Sequence, residues 1–333
     1  MTAVVAPPPN PVLAVVTRGG HVESFHRGVA VVVRDGRTLY AAGAADALQF
    51  WRSAAKPFQA LTAIARLRRA GFFLSDRERA LIAASHGGAP IHLAGVRELL
   101  RRGGVAEAEL RCGVHAPYDG PAAKALVRAG EAPTALHHNC SGKHAGMLLA
   151  ARSAGLSRDD YLEPTHPIQV ENRARVAAFS GVDPAAVVVE VDGCGAPTFA
   201  LSALSAARAY AAFASSGDED AVALRDAVAA EPVAYAGEGR ICTKLLQLLG
   251  ARIYPKAGAE GFYALGLPQS GTGIAVKFDD GSHRATDALL AELLLRFAPE
   301  VDESGRAALR ALTEVPVKNA AGRIVGAVRI TLP

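Results

Sequence analysis

Ser53-Ala54-Ala55-Lys56 leads into the amphipathic stretch PFQALTAIARL, and a hydroxyl and an amine three residues apart at a helix start lie on the same side. An amine kept out of water or beside other cations has a lowered pKa, so it can take the serine proton. The same helix start turns backbone N–H groups toward a carboxylate or a developing oxyanion. Taken alone, the motif reads equally as a capping serine followed by a surface lysine. Two segments further on bear on the choice. Ser85-His86-Gly87-Gly88 follows a helical stretch, where glycines let backbone approach a ligand, and Lys256-Ala257-Gly258 comes shortly before an expected strand.

Ser-x-x-Lys, a loop serine and a Lys-Thr-Gly triplet occur in this order in penicillin-recognising serine hydrolases. Here Ala257 stands at the Thr position and Ser-Asp-Asn is missing, so the motifs are a loose version of serine–lysine acyl transfer. A second group of reactive side chains lies in HNCSGKHAG (138–146) and DGCG (192–195). Cys140 precedes a helix beginning near Ser141, and Cys194 follows the strand-like VVVEVDG; His138, Lys143, His144 and Asp192 are close by in sequence. Thiolate and imidazole suit zinc, while two isolated cysteines also read as small buried residues. A phosphate loop is excluded, because Gly142-Lys143 lacks both the upstream glycine and the following hydroxyl. Cys112 and Cys242 read as core residues. No role is assigned to His137, His166 or His283, and no spacing selects Asp46, Asp119 or Glu260 for carboxylate chemistry.

The elements that must position these groups follow from the hydropathy pattern. Strands are expected over 10–50, broken at Gly19-Gly20 and at the hairpin signal Asp35-Gly36, and again over 258–333 around Gly271-Thr272-Gly273, Asp280-Gly281 and a closing hairpin. Residues 53–250 are mainly helical, with Ser75-Asp76-Arg77-Glu78 as a capping box and helical spacing over 91–102, 165–179, 198–213, 218–230 and 238–249, then 284–297. One strand, 187–195, interrupts them. The pattern implies an α/β (α+β) chain: an antiparallel sheet built from N- and C-terminal strands, covered by helices, within one domain over 1–333.

Of the 333 residues half are apolar and a fifth charged, with a net charge of +4 spread along the chain. The densest basic run, Arg66, Arg68 and Arg69, reads as a solvated helix face, so nucleic acid is not an expected partner. No apolar run approaches the roughly 18 residues of a membrane helix, and the Pro-rich start lacks the pattern of an export signal. Four widely spaced cysteines give no disulfide framework, so a reduced, cytoplasmic protein is expected.

RSAAKPFQA (52–60), ASHGG (84–88), HNCSGKHAGML (138–148), HPIQ (166–169), DGCGAPTFAL (192–201) and PKAGAEGF (255–262) together resemble the thermolabile, Rhizobium etli-type L-asparaginases. The resemblance implies a serine β-lactamase/glutaminase-like fold, a homodimer, and hydrolysis of the side-chain amide of L-asparagine. It also implies two serine–lysine pairs, Ser53 with Lys56 and Ser85 with Lys256, and a zinc ion held by Cys140, Lys143 and Cys194. Arg52, His86, Asn139, His144, Asp192 and Gly258 are then expected around the substrate. Gly87-Gly88-Ala89 departs from the family's more polar loop, which puts specificity in question rather than reaction type. A penicillin-recognising hydrolase and a non-catalytic amino-acid-binding or redox-responsive protein using Cys140 and Cys194 are the alternative readings.

Overall fold

In the computed structural model, which describes residues 9–333, the start of the Pro-rich segment (residues 7 and 8) and the rest of the first eight residues lie outside the described part. The strands are β1 (Val12–Arg18), β2 (His21–Arg34), β3 (Arg37–Ala42), β4 (Leu48–Phe50), β5 (Val188–Val191), β6 (Pro197–Ser202), β7 (Tyr254–Ala257), β8 (Phe262–Leu267), β9 (Thr272–Phe278), β10 (Val315–Lys318) and β11 (Ile324–Ile330). Eight of them form an antiparallel sheet in the order β10-β11-β1-β2-β9-β8-β7, with β3 on β2. The sheet joins both ends of the chain as the pattern predicts: Ala14 pairs with Ile330 and Ala30 with Val276. Asp35 and Gly36 turn β2 into β3 at φ 50° and 72°, the positive values an Asp-Gly hairpin requires.

The helices used below are α1 (Lys56–Arg69), α2 (Asp76–Ile82), α3 (Pro90–Gly103), α4 (Gly120–Ala129), α5 (Ser141–Ser153), α6 (Pro167–Ser180) and α7 (Ala203–Ser215). The capping box at Ser75 and Glu78 is formed. α7 lies directly on the sheet. Gly266 and Gly273 are cross-strand partners, and a Cβ on either would strike the carbonyl of Tyr210 or Ala207, at 2.5 and 1.8 Å. Glycine there lets helix backbone touch strand backbone.

Two expectations need correction. Residues 197–202 are strand, not helix, because β6 is the centre of a second, three-stranded sheet, β4-β6-β5; the helix starts only after Ser202, whose Oγ caps Ser205 N–H at 3.0 Å. The basic run is not simply solvated, since Arg66 pairs with Glu171 and Arg68 with buried Asp220.

The small sheet matters for the site. β4 and β5 both run antiparallel to β6, Phe50 and Val188 both opposing Ala200, so they are parallel to each other and their chains leave at the same end. β4 continues into buried Trp51, tied to Phe199 by Trp51 N–H, and then into a 3₁₀ turn, Arg52–Ala55. β5 continues into Asp192-Gly193-Cys194. Two segments distant in sequence are thereby brought to one place.

Candidate active site

Arg52 and Asp192 meet where the two strands end: Arg52 Nε donates to Asp192 Oδ1 at 2.7 Å. Gly193 N–H donates to the same oxygen at 2.9 Å. Burial works against the charge on Asp192, but Lys143 and Arg52 outweigh it and keep the carboxylate pKa below its usual value. Arg52 has φ 49°, a left-handed backbone that a non-glycine residue adopts only under constraint. Both residues line a cavity of about 340 Å³, together with Ser53, Asn139, Cys140 and Cys194. The segment 112–115, Tyr118, His138, Gly193 and Ala259 complete its wall.

Beneath this wall lies a buried relay. Lys56 Nζ donates to Ala84 O at 2.6 Å and to Ser85 Oγ at 2.9 Å, and Lys256 Nζ approaches the same hydroxyl at 2.7 Å. All three side chains are buried. Desolvation lowers the pKa of Lys56, with Lys143 adding to the effect, and it lowers Lys256 much further, with Lys56 as the next cause. Of the two expected pairs, Ser85 and Lys256 are in contact, whereas Ser53 and Lys56 are not hydrogen-bonded among the described residues. Lys56 turns to the segment after α2, where a carbonyl and a hydroxyl satisfy a buried amine. Ser53 has the access and Ser85 has both lysines.

Cys140, Lys143 and Cys194 also converge. Lys143 Nζ donates to Cys194 Sγ at 3.1 Å, and Cys140 Sγ donates to Asn139 Oδ1 at 3.3 Å. The neighbouring Cys194 first, then Lys56 and Lys143, pull Cys140 strongly toward thiolate, while Cys194 is pushed up. Burial disfavours the Lys143 ammonium, yet the sulfurs and Asp192 raise its pKa. Two sulfurs and an amine are a donor set that suits zinc, provided the amine gives up a proton. His144 Nε2 is a buried, unpartnered nitrogen in the same region. Among the described residues no group of three or more His, Cys, Asp or Glu side chains is placed to hold a metal ion.

What packs this cluster against Ser85 is Gly142. A Cβ at Gly142 would lie 2.2 Å from Leu81 O, and one at Gly146 would press on Ile82, so α5 rests directly on the end of α2. Gly88, at φ 75° and with His137 O 2.8 Å from any Cβ, accounts for a glycine in the loop that departs from the family pattern.

Three expected substrate residues are placed elsewhere. His86 is fully buried: its Nδ1 accepts Gly88 N–H at 3.1 Å and its Nε2 bonds Ser141 Oγ at 2.9 Å, which ties the Ser85 loop to α5. His144 is equally buried, with Nδ1 on Tyr161 Oη at 2.7 Å. Gly258 lies against Trp51 O, and it is Ala259 that reaches the cavity. His86 has both ring nitrogens engaged, His144 keeps Nε2 unpartnered, and neither lines the cavity. Sequence reasoning passed over the 112–119 loop, whose His115 and Tyr118 stack at 4.6 Å. Its only visible mark was a turn-rich stretch between two helices.

The L-asparaginase II family model matches residues 14–330, nearly the whole described chain. The chain belongs to the L-asparaginase II family. Membership supports amidohydrolase activity on a small molecule. No curated protein matches the chain by sequence. Among solved structures it is similar to Mglu in its glutamate form, at 15% identity and TM-score 0.43, covering 86% of this chain and 60% of that one. It is also similar to a β-lactamase from Mycobacterium bovis, at 12% identity and TM-score 0.36 over 81% and 94% of the two chains. A class C β-lactamase gives 14% and 0.37 over 85% and 90%. No described helix is long and apolar enough to cross a membrane.

Proposed function

We propose that the protein is an L-asparaginase, releasing ammonia from the side-chain amide of L-asparagine by serine–lysine catalysis. The observation that carries this reading is the pair Arg52–Asp192 on the wall that also presents Ser53, above Lys56, Ser85 and Lys256. A guanidinium beside a carboxylate complements the α-carboxylate and α-ammonium of one amino acid. With those ends held, the side-chain amide is directed to Ser53.

Ser53 Oγ attacks the amide carbon, and Lys56, three residues on and depressed in pKa by burial, takes its proton. The chain Lys56–Ser85–Lys256 then carries a proton to the departing nitrogen, and ammonia leaves an acyl-serine that water hydrolyses. Two depressed lysines on one hydroxyl allow a proton to move without a buried double positive charge.

Cys140, Lys143 and Cys194 would hold zinc, which would supply a fixed positive charge to order this wall of the pocket. Metal analysis of the purified protein and of Cys140→Ser tests it: about one zinc per chain is expected in the first and none in the second. Assembly as a homodimer belongs to the same proposal and is checked by light scattering.

The activity is tested by ammonia release from asparagine and glutamine. Ser53→Ala is expected to abolish release with the fold intact. Near-normal release by that variant would overturn the Ser53 mechanism, and none by the wild type on any amino-acid amide would overturn the activity.

A further inference from the structure

His115 and His138 line the cavity, whereas His86 and His144 do not, and their hydrogen bonds separate their roles. His86 uses both ring nitrogens inside the protein, and His144 is sealed from the cavity. His138, marked in the sequence only by its nearness to Cys140, is different. Its Nδ1 accepts the backbone N–H of Cys140 at 3.0 Å. A nitrogen that accepts cannot carry the proton, so the ring is neutral with its hydrogen on Nε2. Nε2 makes no hydrogen bond within the described residues and is not among the buried unpartnered atoms, while the residue lines the cavity. The ring is held in place from the other side by His115, 4.3 Å away between centroids. His115 in turn accepts Asn139 N–H on Nε2 at 3.0 Å and donates from Nδ1 to Ala116 O at 2.7 Å.

We infer that His138 is a substrate-binding residue whose Nε2–H donates to an oxygen of the bound amino-acid amide. The inference rests on the asparaginase reading and extends it. In this tautomer the nitrogen is a donor only, so it selects a carbonyl or carboxylate oxygen and rejects an ammonium. It also cannot ligate a metal while Cys140 N–H occupies the other nitrogen, which distinguishes it from the cysteines two and fifty-six positions on.

Two substitutions separate the roles of the ring. His138→Asn keeps an acceptor at the Nδ1 position, two residues before Cys140 N–H, but has no donor at the Nε2 position; His138→Gln keeps a donor near the Nε2 position but has no acceptor at the Nδ1 position. Calorimetry with the product L-aspartate and steady-state kinetics on asparagine are run on both, with zinc content and thermal unfolding measured alongside. Loss of one hydrogen bond predicts weaker aspartate binding and a raised KM in His138→Asn by about tenfold, with zinc content and unfolding as in the wild type. His138→Gln is expected to stay within about threefold in affinity. Wild-type affinity in His138→Asn, with impairment in His138→Gln, would reduce the ring to a cap on Cys140. Loss of zinc in His138→Asn would make it a ligand. Either result overturns the inference, whereas a wild-type protein that neither binds aspartate nor hydrolyses asparagine overturns the asparaginase reading itself.

Discussion

Lys256 Nζ lies 2.7 Å from Ser85 Oγ although 171 residues separate them in sequence. The amine is buried and its pKa is far below the ordinary 10.5, through desolvation first and Lys56 second. In the unfolded chain the amine holds its proton up to about pH 10.4; in the folded chain it releases it at lower pH. Between those values the unfolded state binds more protons, so stability rises with pH across that window, and the full penalty applies below it. Lys256→Met removes the penalty. The variant is expected to melt higher than the wild type at neutral pH, with the gap closing near pH 10, while ammonia release is lost. Thermal unfolding against pH checks this, and a lower melting temperature at neutral pH would count against a strained buried amine.

The same chemistry fixes the activity profile. Lys56 takes a proton only when neutral, so kcat/KM is expected to fall about tenfold per pH unit below its depressed pKa and to level off above it. Asp192 is held ionised by Lys143 and Arg52 and contributes no limb near neutrality. A bell with an alkaline fall near neutral pH would contradict a lysine base.

Gly142→Ala is expected to destabilise by about 1–3 kcal/mol, since its Cβ would meet Leu81 O at 2.2 Å and neither backbone can retreat. Gly120→Ala, at the start of α4 with open space around it, is the control and should change stability by less than about 0.5 kcal/mol. Equal denaturation midpoints for the two variants would exclude the close contact.

Arg52→Ala and Arg52→Gly both lose the contact with Asp192 and should raise KM alike, by at least about tenfold. Only the glycine variant also relieves the positive φ, so it should be the more stable of the two by about 1 kcal/mol. Equal chemical denaturation of the pair would mean that the backbone there is unstrained.

Much of the site was legible because its residues sit at the ends of elements, where short motifs survive intact. Ser53 and Lys56 bracket a helix start, and Cys140 and Lys143 another. What the letters could not carry was reach. Lys56 is three residues from Ser53 yet bonds Ser85, because the acceptors for a buried amine are set by which loop lies over it. His86 and His144 sit inside strong motifs but are buried away from the cavity wall, while His138 lines it. The strand β6 was hidden for a related reason. PTFALS runs into the alanine-rich α7 without a break in hydropathy, and only pairing on both sides with β4 and β5 makes it extended.

The sheet order carries a cost that falls on synthesis rather than on the finished enzyme. β2 gains β3 as soon as the hairpin emerges, but its other edge must wait for β9, far downstream, with Ala30 to Val33 apolar and destined for full burial. Long-range pairing of this kind is slow, and an uncovered apolar strand edge recruits other chains. The nascent protein therefore carries its most adhesive segment near the front and the cover for it near the back. A cell making it quickly will depend on chaperones that shield that edge, and yield should respond to translation rate and temperature more than to any change at the site.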